Sequence, residues 1–197
     1  MTFHPPPGAT PIDDLSDLKI PIITQTQLDA AEFDNIFKAE QKYFRPKKIK
    51  NLSWFKPKVL QHIHYSMFDD VWHWAGKYRR TNVLPVGVEP YKIPILIVEL
   101  CQDVEFWVKN MPLLEAAARI HHRLAWIHPF PNGNGRFSRF ISNLVLFSYR
   151  HPLPVWPTGL NRESSRRTEY LDSLRDADKG DFKPLLNYLI SLGAKSY

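Results

Sequence analysis

The chain has 197 residues but only one cysteine, eight glycines and three methionines. With Cys101 alone, no intrachain disulfide can form, and a reducing, cytoplasmic setting is expected. No stretch approaches the roughly 20 apolar residues that a membrane-spanning helix needs. The longest apolar runs, at 93–100 and 140–149, fall well short, so no membrane partner is expected. The opening Met-Thr-Phe-His-Pro-Pro-Pro-Gly lacks a basic segment followed by an apolar one, and no secretory leader is expected. Internal repeats and long low-complexity stretches are missing too. Strand-type patterning is scarce and confined to one short segment, which excludes sandwiches and barrels and predicts an essentially all-α fold.

What is present fits one globular domain with a sizeable core, since 44% of residues are hydrophobic. Lysine and arginine exceed the acids by 26 to 20, a net charge of +6. The densest basic run, Arg45-Pro46-Lys47-Lys48-Ile49-Lys50, lies between two predicted helices and reads as a solvated connector, so a nucleic-acid partner is not expected. Residues 1–23, rich in Pro and Asp, read as an extended tail. Residues 24–50 form an N-terminal helix and the basic connector, and 51–197 form the main domain. In the first helix, 24–44, Thr24 and Gln27 fit a capping box, and Leu28, Phe33, Ile36 and Phe37 form an apolar stripe. Further helices are expected at 57–68, 94–108, 113–127, 162–175 and 182–192. Residues 79–95 read as an irregular hairpin, with Val, Tyr and Ile broken by Pro85, Gly87, Pro90 and Pro94.

Most of the chemistry lies in residues 128–139, His-Pro-Phe-Pro-Asn-Gly-Asn-Gly-Arg-Phe-Ser-Arg. Pro129 and Pro131 forbid continuation of the preceding helix, so His128 falls at its last turn or just beyond. Phe137, Phe140, Ile141, Leu144, Val145 and Phe147 mark a second apolar helix that begins near Asn134 or Gly135. Its first backbone donors and the positive end of its dipole face the loop. Gly133 and Gly135 let main chain approach an anion closely. Arg136 and Arg139, one turn apart, can reach the same side of the helix start and bind phosphate in bidentate forks. A neutral imidazole at His128 suits a general base acting on a hydroxyl. His121 and His122 lack the spacing and adjacent glutamate of a zinc hydrolase and are expected in packing or hydrogen-bonding roles. Trp72 and Trp74 are expected in the core.

The loop resembles the signature of the Fic domain, His-Pro-Phe-x-Asp/Glu-Gly-Asn-Gly-Arg-x-x-Arg, departing only at Asn132. Residues 68–79, with Trp74-Ala75-Gly76 and Arg79, are similar to the segment that precedes the family's flap. Residues 176–185 are similar to its closing helices. The resemblance extends from about residue 50 to the C-terminus and is strongest to the bacterial subgroup called mobile mystery protein B. It implies a Fic-type helical domain with a short β-hairpin flap, and a protein adenylyltransferase that moves AMP from ATP to a Ser, Thr or Tyr hydroxyl of a target protein.

Carried over by position, the resemblance makes His128 the base and Phe130 a buried anchor. Gly133, Asn134 and Gly135 become the phosphate-binding turn, with Arg136 and Arg139 on the β- and γ-phosphates. It makes Thr81, Asn82, Val83, Leu84, Val86 and Tyr91 the target-binding flap. ATP is the implied co-substrate, with Mg²⁺ or Mn²⁺ beside it. Asn132 stands at the family's metal-binding position, and an amide brings oxygen but no charge. Transfer of another group such as UMP, removal of AMP, or a nucleotide-responsive binding module are the alternatives. Many family members are held off by a helix carrying Ser/Thr-x-x-x-Glu-Gly/Asn. Here Ser165 and Glu169 have the spacing but Tyr170 breaks the pattern, and Glu32 is a looser candidate, which leaves room for a separate inhibitory partner.

Overall fold

Helix α1, Gln25–Tyr43, begins where its cap predicts. The Thr24 hydroxyl accepts from the Gln27 N–H at 3.2 Å, and the Thr24 N–H donates to the Gln27 side chain at 3.0 Å. Each bond satisfies a main-chain donor that the helix start would leave open. The computed structural model describes residues 15–45, 51–82, 86–157, 160 and 164–195. Among them the helices continue as α2 Pro57–Phe68, α3 Ile93–Asn110, α4 Leu113–Ile127, α5 Asn134–Ser148, α6 Ser165–Asp178 and α7 Lys183–Ser191. None of these is long and apolar enough to cross a membrane.

Helix α4 is the hub, packing against α3, α5 and α7, while α1 pairs with α2 and α6 with α7. One apolar core joins α1 to α5 around Leu60, Ile63, Phe68, Trp72, Phe130 and Phe137. A smaller one seats α7 on α4 through Leu114, Ala118, Leu185 and Leu189. Small residues at Ala116, Ala117 and Ala118 are fully buried on α4. The expected burial of Trp72 and Trp74 is borne out, at 0% and 9% exposure.

Three expectations change. The buried face of α1 is Leu28, Glu32, Asn35 and Ala39, whereas Phe33 and Phe37 lie 67% and 50% exposed. Two polar side chains displace the aromatics because each finds partners inside. Asn35 donates to the Ser66 carbonyl at 3.1 Å and accepts from the Asp70 N–H at 2.9 Å. Glu32 accepts from the Trp72 indole at 2.7 Å and from Arg136 at 2.5 Å. The described part of the predicted tail is docked, with the Lys19 N–H on the Val71 carbonyl and the His73 N–H on the Asp17 carbonyl, both at 2.8 Å. Leu18 and Trp72 form an isolated antiparallel bridge.

The third change concerns the hairpin expected at 79–95. Its second half is a 3₁₀ turn, Pro90–Lys92, that runs directly into α3. Pro90 and Pro94 sit at first-turn positions, where a missing N–H costs nothing and the fixed φ starts a helix. Residues 83–85 lie outside the described part.

The inner face of α1 is testable by stability. Glu32→Ala leaves Arg136 and the Trp72 N–H without their partner and is expected to cost about 3 kcal/mol. Phe33→Ser, on the solvent face, is expected to stay within about 0.5 kcal/mol of the parent. Urea unfolding of both variants checks the contrast; equal losses would restore the apolar stripe.

Candidate active site

His128 caps α4 with φ 53° and ψ 60°, a left-handed backbone at a residue that is not glycine. The conformation costs on the order of 1 kcal/mol. It arises because Pro129 disfavours the helical region for the residue before it and cannot continue the helix itself. Main-chain groups around the turn hold it. The His128 N–H donates to Leu124 at 3.1 Å and the Arg79 N–H to Pro129 at 3.0 Å. The Arg79 guanidinium donates to the His128 carbonyl at 2.6 Å and to that of Ile127 at 3.4 Å.

The half-buried imidazole is oriented by its own helix. Nδ1 lies 3.2 Å from the Ala125 carbonyl. Only a protonated Nδ1 can donate there, so the basic lone pair belongs to Nε2. Burial lowers the pKa of His128 to about 4, opposed by the Ala125 bond and assisted by the nearby Arg79 charge. At neutral pH the side chain is an uncharged base.

The loop after it is braced from within. Asn134, 2% exposed, accepts from the Phe130 N–H at 2.9 Å and donates to the Phe130 carbonyl at 2.8 Å. Its side chain is therefore a strut inside the loop, and its main-chain N–H lies in the first turn of α5. Phe130 is buried as expected and stacks on His64 with ring centroids 3.5 Å apart. His64 accepts the Gly76 N–H on Nδ1 at 3.0 Å, so its protonated Nε2 donates to the Asn132 carbonyl at 3.1 Å. Complete burial lowers its pKa to about 3.

Gly133 and Gly135 do different work. Gly133 has φ +77°, and a Cβ there would stand 2.5 Å from the Phe68 ring. Gly135 is helical, and a Cβ would meet only the Arg139 guanidinium at an ordinary 3.5 Å. The start of α5 has no side-chain cap, so its first main-chain donors face the loop without a partner from the helix itself.

The two arginines diverge, contrary to the expectation of a shared side. Arg136 pairs with Glu32 of α1 at 2.5 Å and lies 4.8 Å over the Phe68 ring. Arg139 points to α6, with its guanidinium 5.7 Å from the Trp156 ring and 6.0 Å from Tyr170. Burial lowers its pKa from the ordinary arginine value, but it remains a cation. Tyr170 also meets the buried His121 at 2.8 Å, and His122 pairs with Asp178 at 2.8 Å, so both histidines have the packing and bonding roles expected. Glu169 lines a hollow between α6 and α7 with Asp172 and Asp176, and it is Tyr170 that faces Arg139.

Of the flap residues, Thr81 and Asn82 are exposed and Val86 is half-buried, while Val83 and Leu84 lie outside the described part. Tyr91 is 76% exposed on the 3₁₀ turn rather than on a strand. The Val88 N–H donates to Ile127 at 3.4 Å, which joins this segment to the end of α4.

A protein-held divalent ion does not fit the donor set. The Asn132 side-chain oxygen accepts its neighbour's Gly133 N–H at 2.6 Å. Among the described residues, acidic, histidine and cysteine side chains nowhere gather in a group that could hold a metal.

His64, Arg79, Trp156 and Tyr170 were not assigned site roles from sequence. His64 had one signal, a polar residue four positions from both Leu60 and Phe68 on an apolar face. The other three reach the loop only through the fold.

Comparison with known proteins shows what the chain is similar to. The Fic/DOC family model matches residues 54–146. The chain is 33% identical over 120 residues to protein adenylyltransferase fic-1 of Caenorhabditis briggsae, covering 58% of this chain and 22% of that one. It is 30% identical over 127 residues to protein adenylyltransferase Fic of Drosophila grimshawi, covering 62% and 25%. The chain thus spans about a quarter or less of the length of these relatives. Among solved structures, the BepC effector of Bartonella tribocorum, crystallised with AMPPNP, superposes with a TM-score of 0.69 at 18% identity, covering 91% of this chain and 92% of that one. A Fic domain-containing signalling protein from Bacteroides thetaiotaomicron superposes at 0.65 and 22%, covering 88% and 71%. These two similarities establish the fold.

Two measurements probe the loop. Gly133→Ala forces a left-handed alanine into the Phe68 ring and is expected to lower stability by about 2 kcal/mol or more, while Gly135→Ala keeps the fold. Thermal melts of the pair separate them. The buried histidines make stability acid-sensitive. His64 and His121 have folded pKa values of about 3, below the unfolded value near 6.5. Their stability is complete above about pH 6.5 and is lost as pH falls toward 3, by up to about 1.4 kcal/mol per histidine per pH unit. A melting temperature that falls steadily from about pH 7 to about pH 4.5 is expected.

Proposed function

We propose, on the match of residues 54–146 to the Fic/DOC family model, that the protein is a Fic-type adenylyltransferase moving AMP from ATP to a hydroxyl of a target protein. The observation that carries the proposal is His128. It is a neutral imidazole with Nδ1 pinned to Ala125, placed at the mouth of a loop whose far side presents the uncapped start of α5. Nε2 takes the proton of the target hydroxyl. The oxygen forms its bond to the α-phosphorus, the bond to the β-phosphate breaks, and pyrophosphate leaves with that electron pair. The first-turn N–H groups of α5, at Asn134, Gly135 and Arg136, face the triphosphate.

Arg136 and Arg139 supply positive charge against the negative charge that builds on the leaving pyrophosphate. Glu32 occupies one terminal nitrogen of Arg136, and a guanidinium carries five donors, so one fork can hold the carboxylate and a phosphate oxygen together. Arg139, fixed among aromatic rings, stands ready for the terminal phosphate. Because the described acidic, histidine and cysteine side chains do not gather into a metal site, Mg²⁺ or Mn²⁺ would be held mainly by the triphosphate and water. The flap would present an extended target segment next to His128 by main-chain pairing. The full loop signature, with Asn132 at its acidic position, supports the mobile mystery protein B subgroup and a bacterial source. The lone Cys101, whose thiol burial pushes its pKa up to about 11, supports a reducing, cytoplasmic setting. Glu169 lines the hollow between α6 and α7 with Asp172 and Asp176, while Tyr170 meets Arg139, which favours restraint by a separate inhibitory partner over restraint by α6.

A second reading, a nucleotide-responsive binding module, draws on one observation: the Asn132 oxygen is already engaged by Gly133. One experiment separates the two. With ATP labelled at the α-phosphate, cell extract and Mg²⁺, the chain is expected to label a protein, and His128→Ala to reduce labelling by about a hundredfold or more. Asn132→Asp is expected to raise transfer at limiting Mg²⁺. ATP binding without any labelled product, in the parent and in Asn132→Asp, would establish the binding module.

A further inference from the structure

Arg79 is 4% exposed, and its guanidinium donates to main-chain carbonyls from two separate segments. On the flap side it reaches Thr81 at 2.9 Å and also Val88. On the catalytic side it reaches His128 at 2.6 Å and Ile127 at 3.4 Å. Its own N–H adds a bond to Pro129 at 3.0 Å. Two ends of the flap and the turn that carries the base therefore meet at one planar group.

The surroundings are shaped around that group. A Cβ on Gly87 would lie 2.6 Å from the Arg79 Nη2 and 2.9 Å from the His128 Cβ, and Gly87 has φ +88°. The flap can thus pass between guanidinium and imidazole only because residue 87 has no side chain. A buried guanidinium satisfied by carbonyls rather than by a carboxylate has no Coulombic partner to offset its desolvation. Its worth lies in direction: five donors in a rigid plane can hold several carbonyls in one fixed arrangement, which a lysine ammonium on a flexible stem cannot.

We propose that Arg79 is a positioning residue that locks the flap to the base, so that a target strand laid on the flap and the imidazole of His128 are held in one common frame. The proposal rests on the adenylyl-transfer reading for its catalytic consequence, but its structural half stands without it. Arg79 is 4% exposed, with its guanidinium on main-chain carbonyls, whereas Arg136 meets Glu32 and Arg139 the rings of Trp156 and Tyr170, so ATP binding is expected to be separate from this lock.

The test uses Arg79→Lys and Arg79→Gln in the full chain, each read in two ways. Hydrogen exchange, measured without nucleotide, is expected to show the Val88 amide and the flap exchanging at least tenfold faster in both variants, with α5 amides unchanged. Steady-state transfer is expected to show kcat down tenfold or more while KM for ATP stays within about twofold, and lysine is expected not to rescue, because charge alone does not supply the fork. Flap exchange equal to the parent's would overturn the proposal. So would KM for ATP rising in step with the loss of kcat, the result of general unfolding. If the parent transfers no AMP at all, the function proposed above fails, and the exchange measurement alone decides the role of Arg79.

Discussion

A left-handed turn at His128 has to be held open against the chain's own preference, and most of the site exists to hold it. Arg79 grips the turn from the flap side through the carbonyls of Ile127 and His128. His64 grips the other end through the Asn132 carbonyl, with Phe130 stacked on its ring. Asn134 closes the interval from inside by exchanging both hydrogen bonds with Phe130. Each grip uses main-chain atoms, so the loop's shape is fixed largely independently of what its exposed side chains do.

The electrostatic consequence is lopsided. The histidines at the loop are neutral, two of them with pKa values near 3 and 4, so they add no charge at cellular pH. Arg79, Arg136 and Arg139 remain cationic around them, and Glu32 is the carboxylate paired among them. With the uncapped end of α5 added, the site favours a polyanion on one side and keeps an uncharged base on the other. That division matches a reaction in which a proton leaves toward His128 while a phosphate chain departs toward the arginines.

The sequence showed the loop well and its supports poorly, for a physical reason. Residues 128–139 act through neighbours in the chain, so spacing alone placed the base at a helix end and the glycines at a helix start. Thr24 and Gln27 were legible in the same way, because a capping box is local. Glu32, His64, Arg79 and Tyr170 act across gaps of dozens of residues, where spacing carries no information. On α1 the apolar pattern misled: Phe33 and Phe37 face solvent because Glu32 and Asn35 find better partners inside. The family resemblance anticipated Phe130 as an anchor, yet it did not show that the Asn134 side chain would turn inward or that Arg136 would meet Glu32.

Everything in the account turns on the protonation state of one imidazole. Nitrogen-15 NMR of the histidines, with His128→Ala to assign the signal, measures it directly. The account predicts that His128 titrates near pH 4, with its proton on Nδ1 and its lone pair on Nε2 throughout the neutral range. A titration at the ordinary histidine value of about 6.5, or a neutral tautomer protonated on Nε2, would contradict it.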